Sequence, residues 1–138
     1  MTLLLDSNII TYLLQERAPV IARFTEALKT DAAFVLSDVV EYEIRRYLLL
    51  KGATRQFRRY EALVRHWAPV SLTRSDWHTA AELWAELHQA GRSIEDRDLL
   101  IAVSALKEHA TLVTGNTRHF DRPGVPLLDW TKTKASDE

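Results

Sequence analysis

Leu-Leu-Leu-Asp-Ser-Asn-Ile-Ile-Thr-Tyr-Leu-Leu, residues 3–14, changes its hydrophobic period halfway along. Leu3 to Leu5 is a short apolar run closed by Asp6, which suits a buried strand, whereas Asn8 to Leu14 reads as a helix. The alternation continues downstream. Val20 to Leu28 is helical, with Pro19 in a first turn that tolerates it, and Phe34 to Leu36 is strand-like, closed by Ser37-Asp38. Val40, Ile44, Tyr47 and Leu48 recur at helical spacing within Val39 to Leu50, which stops at Gly52. Phe57 to Trp67 continues as a second helix.

Ala68 to Leu72 is a short strand in which Pro69 favours the start or an edge position. Thr73 to Asp76 resembles a capping box with Asp in the fourth place. Trp77, Ala80, Ala81, Trp84, Leu87 and His88 then share one helical stripe, stopped by Ala90-Gly91. The two tryptophans read as core or dimer contacts. Ile94 to Asp98 leads into an apolar helix, Leu99 to Leu106. Thr111 to Thr114 is a strand broken by Gly115-Asn116, and Val125 to Leu128 forms a last short one. Strands alternating with helices indicate an α/β protein, a three-layer α/β/α sandwich on a short, mainly parallel sheet.

The 138 residues make one domain, placed at residues 1–130, with a polar tail over 131–138 expected to fray. The absence of cysteine excludes disulfides, thiolate metal sites and Cys nucleophiles. No secretory or membrane-spanning segment is legible, so the expectation is a soluble, cytoplasmic protein. Walker, dinucleotide-binding and HExxH patterns are absent. Of the five histidines, only His119 is expected near a pocket.

Net charge is −1, but residues 45–65 carry seven Lys/Arg against the single acid Glu61, leaving eleven basic and eighteen acidic residues elsewhere. That segment suits a footprint for phosphates or, equally, a solvated helical face.

Ligands of open parallel sheets sit beyond the carboxyl ends of the strands. Asp6 and Asn8 follow the first strand, Glu43 lies in the helix after the second, Asp98 opens a late helix, and Asn116 follows the Thr111–Thr114 strand. Four segments thus bring oxygen donors of the kind Mg²⁺ and Mn²⁺ take toward one crevice. Each residue also has a plainer use. Asp6 suits a helix cap, Asp96 and Asp98 suit a helix N-terminus, Glu43 suits a solvated face, and Asn116 suits a turn.

The wording of these segments shifts the balance toward the cluster. Leu-Leu-Leu-Asp-Ser-Asn (3–8), Ser37 followed six residues later by Glu43, Asp-Leu-Leu-Ile-Ala (98–102), Leu-Val-Thr-Gly-Asn-Thr-Arg-His-Phe (112–120) and Leu-Leu-Asp-Trp (127–130) occur in that order. From Leu3 to Trp130 the chain resembles the PIN-domain family and, within it, the VapC-like ribonuclease toxins of toxin–antitoxin pairs. The resemblance implies an α/β/α fold and an acidic pocket that binds Mg²⁺ or Mn²⁺ and cleaves RNA phosphodiesters. It makes Asp6, Asp98 and Glu43 the catalytic, metal-holding acids, and Asn8, Thr114 and Asn116 the polar residues near the scissile phosphate. Asp96 has no firm family position, and Asn116 stands where many members carry Asp. The resemblance also implies a small cognate antitoxin, a homodimer and, as one candidate substrate, transfer RNA. Two alternatives remain: a phosphohydrolase using Asp6 as nucleophile, although Asn8 breaks the pattern such enzymes need, and a catalytically silent adaptor of the same fold.

Overall fold

A computed structural model of the chain describes residues 1–121 and 123–132. Of the expected tail only Thr131 and Lys132 fall within that range; the remainder lies outside the described residues. The elements run β1 (Thr2–Leu5), α1 (Ser7–Leu14), α2 (Ala18–Lys29), β2 (Ala33–Ser37), α3 (Asp38–Lys51), α4 (Thr54–Val64), β3 (Ala68–Val70), α5 (Arg74–Gln89), α6 (Asp96–Lys107), β4 (Thr111–Val113), α7 (Thr117–Phe120) and β5 (Leu127–Leu128).

The sheet order is β3-β2-β1-β4-β5, and every described pairing is parallel. β1 is the central strand, with Leu3 between Phe34 and Thr111. Leu3, Leu4 and Leu5 are 2%, 0% and 1% exposed. Successive strand side chains point to opposite faces, so burial of all three requires helices on both sides. At roughly 1.5–3 kcal/mol for each fully buried aliphatic side chain, this tripeptide anchors the core. Pro69 sits in the edge strand β3, where its missing N–H leaves no ladder bond unmade.

The local stop signals act as their chemistry demands. Gly52 ends α3 in the left-handed region at φ 62°, and its N–H bonds back to Leu48. Thr73 and Asp76 form a reciprocal capping box on α5, so Asp serves in the place usually held by Glu. One short helix, α7, was not expected, because Gly115-Asn116 and four residues of mixed polarity carry no helical period.

The stripe on α5 divides. Ala80 and Leu87 join Ile94, Leu99 and Val103 in a small second core between α5 and α6. Trp77 and Trp84 do not; they are 53% and 41% exposed, so the core reading is corrected for both. No helix among the described residues is long and apolar enough to cross a membrane.

Candidate active site

The strand order places a topological switch between β1 and β4. From β1 the chain builds outward through β2 and β3, and only later returns to lay β4 on the other side. The carboxyl ends of these two strands diverge into different connections and leave a crevice between them. Asp6 follows β1 and Thr114 follows β4, and Asp6 N–H closes the gap with a 2.9 Å bond to the Val113 carbonyl.

Asp6 is 1% exposed. It caps α1 by accepting the Ser7 N–H at 2.8 Å on Oδ1. The cap reading of this residue is therefore realised. Thr114, itself fully buried, donates its hydroxyl to Asp6 Oδ2 at 2.8 Å and accepts the Asn116 N–H at 3.0 Å.

Glu43, Asp98 and Asp6 converge from α3, α6 and the β1–α1 junction. Between them lies Arg97, a residue the sequence reading passed over. Its Nε donates to Glu43 Oε2 at 2.6 Å, its Nη1 to Asp98 Oδ1 at 2.8 Å, and its Nη2 to Asp6 Oδ1 at 2.7 Å. Nη2 also donates to the Ser7 hydroxyl at 2.7 Å. A planar fork with donors on three edges suits three carboxylates as a lysine does not. Burial opposes the guanidinium charge, but the Glu43 hydrogen bond and the field of Asp6 more than offset it and raise its pKa above the ordinary value. One signal pointed here: a cation between two acids in the first turn of α6, where the helix dipole disfavours it.

His119 brings Nδ1 to 3.5 Å from Asp98 Oδ2, as its proximity in sequence to Asn116 suggested. Asn8 and Asn116 share a small cleft with Tyr12, Arg17, Gly115 and Thr131 on the flank of the carboxylates. Asp96 is elsewhere. Two residues from Asp98 on a helix is more than half a turn, and Asp96 is exposed beside Trp77 and Trp84.

A larger cleft of about 690 Å³ opens from Ser7, Asn8 and Glu43 along α1 and α3, lined by Tyr12, Tyr47 and Leu50 among others. Arg46, from the basic segment, also lines it. Other charges of that segment are paired: Arg45 with Glu41 and Glu61, and Arg59 with Glu16. The basic count thus overstates the cationic surface, since exposed pairs of this kind neutralise one another.

Three carboxylates against one guanidinium leave the cluster at −2. Two buried acceptors, Glu43 Oε1 and Asn8 Oδ1, have no hydrogen-bond partner among the described residues. A buried acceptor without a donor costs about 1–3 kcal/mol, which a cation would relieve. Carboxylate and amide oxygens are the donors a hard divalent cation takes, so the residues present fit such an ion by chemistry and by charge. Among the described residues no group of three acids or histidines is arranged as a metal-ligand set.

The family model for the PIN domain matches residues 3–125. Ribonuclease VapC1 of Haemophilus influenzae (strain R2866) is 31% identical over 140 residues, covering 96% of this chain and 100% of the relative. The fold resembles VapBC2 from Rickettsia felis, solved bound to a DNA fragment from its promoter, with a TM-score of 0.83 and 25% identity across 94% of this chain and 99% of that one. It also resembles VapBC-1 from nontypeable Haemophilus influenzae, with a TM-score of 0.75 and 30% identity across 96% of this chain and 100% of that one.

Proposed function

The chain belongs to the PIN-domain family, and from that premise we propose that it is a divalent-cation-dependent endoribonuclease, the toxin of a VapC-type toxin–antitoxin pair. The observation that carries the reading is the convergence of Asp6, Glu43 and Asp98, from three separate elements, on the crevice where β1 and β4 part. Asp6, Asp98 and Glu43 would hold the cation. The chemistry such an ion supplies is Lewis-acid polarisation of the phosphodiester and a lowered pKa for water.

The remaining steps belong to the chain. The Ser7 N–H and the Thr114 hydroxyl orient Asp6 from two sides, so its carboxylate cannot rotate away. Glu43 lines the cleft and is suited to orient an attacking water and accept its proton. Asn8 and Asn116 flank the acids and are suited to hydrogen-bond the phosphate or ribose. Arg46 offers charge to the RNA backbone along the cleft. Nucleophilic use of Asp6 is disfavoured, because Asn8 stands where such enzymes need a second Asp.

Transfer RNA is the proposed substrate class, and the cytoplasm the proposed compartment. The cognate antitoxin is proposed to cover the apolar α1–α3 cleft, and a second copy of the chain the face bearing Trp77 and Trp84; the VapBC assemblies of similar proteins support the first. The test is cleavage of a total tRNA pool by the purified chain in Mg²⁺, Mn²⁺ or EDTA, beside Asp6→Asn and Asp98→Asn. Defined fragments that vanish with EDTA and with both variants are expected. Full cleavage by both variants overturns the assignment, and loss of cleavage together with Mn²⁺ binding returns the adaptor.

A further inference from the structure

We infer that Arg97 and the divalent cation are alternative occupants of one carboxylate cluster, so that Arg97 is a built-in competitor the metal must displace. The inference rests on the metal-dependent reading above and adds a statement about this chain's own side chain.

The geometry makes the two states exclusive. Arg97 takes Asp6 Oδ1, Glu43 Oε2 and Asp98 Oδ1 through hydrogen bonds of 2.6–2.8 Å. With a C–N bond of about 1.3 Å, those oxygens stand roughly 3.5–4 Å from the guanidinium carbon. Mg²⁺ holds its ligands at about 2.1 Å. Oxygens held that far apart around the guanidinium cannot all ligate one Mg²⁺ while Arg97 stays between them. The spread carboxylates, with no metal-ready trio among the described residues, are the expected product of this occupancy.

Electrostatics leaves the exchange favourable. With Arg97 in place the cluster still carries −2, and Glu43 Oε1 and Asn8 Oδ1 remain unpartnered, so a dication has both charge and donors to gain. The Arg97 side chain is 31% exposed, while those of Asp98 and Asp6 are 8% and 1% exposed. It thus reaches the cluster from the mouth and can withdraw without unpacking the core. Once displaced it stays at that mouth as a cation, placed to meet an incoming phosphate.

The experiment uses the full chain. In isotope-labelled protein the Arg97 Nε–H resonance, assigned by its loss in Arg97→Lys, is followed as Mg²⁺ is added. Mn²⁺ affinity is measured by electron paramagnetic resonance for wild type, Arg97→Lys and Arg97→Ala. Expected is collapse of the Nε–H signal to that of a solvated arginine as Mg²⁺ binds. If the vacated state is under about 10% populated, Arg97→Ala binds Mn²⁺ at least about tenfold more tightly. Arg97→Lys should fall between the two, because it keeps the charge but cannot span three carboxylates. An unchanged Nε–H signal while Mg²⁺ shifts the Ser7 and Leu99 amides overturns the inference and leaves the metal reading standing. Equal affinity of wild type and Arg97→Lys also overturns it, by reducing Arg97 to a remote charge. Failure of all three proteins to bind Mn²⁺ removes the metal reading itself. Should Arg97→Ala not fold, the wild-type titration and Arg97→Lys decide.

Discussion

Replacing Thr114 by Val removes one hydroxyl and almost nothing else, because the two side chains have nearly the same shape. That hydroxyl donates to the buried Asp6 carboxylate at 2.8 Å and accepts the Asn116 N–H at 3.0 Å. A hydrogen bond to a charged group contributes about 1.5–3 kcal/mol and a neutral one about 0.5–1.5. Neither Asp6 nor Thr114 is open to water that could substitute. Thr114→Val is therefore expected to cost about 2–4 kcal/mol, with the gain from burying a methyl as a partial offset. For a chain of this size each kcal/mol moves the melting temperature by roughly 3–5 °C, so the shift should fall near 6–20 °C. Thr114→Ser is the control: it keeps both hydrogen bonds, loses one buried methyl, and should cost only about 1 kcal/mol. The assay is urea unfolding at neutral pH with a common slope across the three proteins. A Val variant as stable as wild type, or a Ser variant less stable than the Val one, refutes the argument that Thr114 acts through Asp6.

Asp76 is held down to about 2 by its hydrogen bonds from Lys107 Nζ and from the Thr73 backbone. Because the folded pKa lies below the unfolded one, its contribution is whole above about pH 4 and disappears as pH falls toward 2. The stability gap between wild type and Asp76→Asn should therefore close across that window in acid titrations, and a gap independent of pH would refute it. A Cβ added at Gly115 meets Asn8 Nδ2 and Thr131 Cγ2 at 3.3 Å. Gly115→Ala is expected to lower thermal stability by about 1 kcal/mol or slightly more through overpacking, and to lower kcat/KM for RNA by displacing Asn8; unaltered kinetics would remove Asn8 from the substrate site. Trp77→Glu combined with Trp84→Glu should convert a dimer into a monomer in sedimentation velocity, since exposed aromatic faces of this kind gain most from being covered. A monomeric wild type would assign those tryptophans another role.

The local rules needed nothing beyond the sequence. The apolar run Leu3–Leu5, the helical spacing of Val40, Ile44 and Leu48, the Gly52 stop and the Thr73–Asp76 cap each act within a few residues. They specify alternating strands and helices and hence the α/β class, and the order of the acidic words pointed to Asp6, Glu43 and Asp98. The strand order is not a local property, and neither is the meeting of those acids. Glu43 and Arg97 are 54 positions apart and Arg97 and Asp6 are 91 apart. They touch where β4 pairs with β1 and α6 packs against α3. From sequence, Arg97 was one more charge at a helix start, and Trp77 and Trp84 were members of an apolar stripe. Only packing showed that the first enters the carboxylates while the others face outward, because burial depends on what the rest of the chain brings opposite a residue, and one segment carries no record of that.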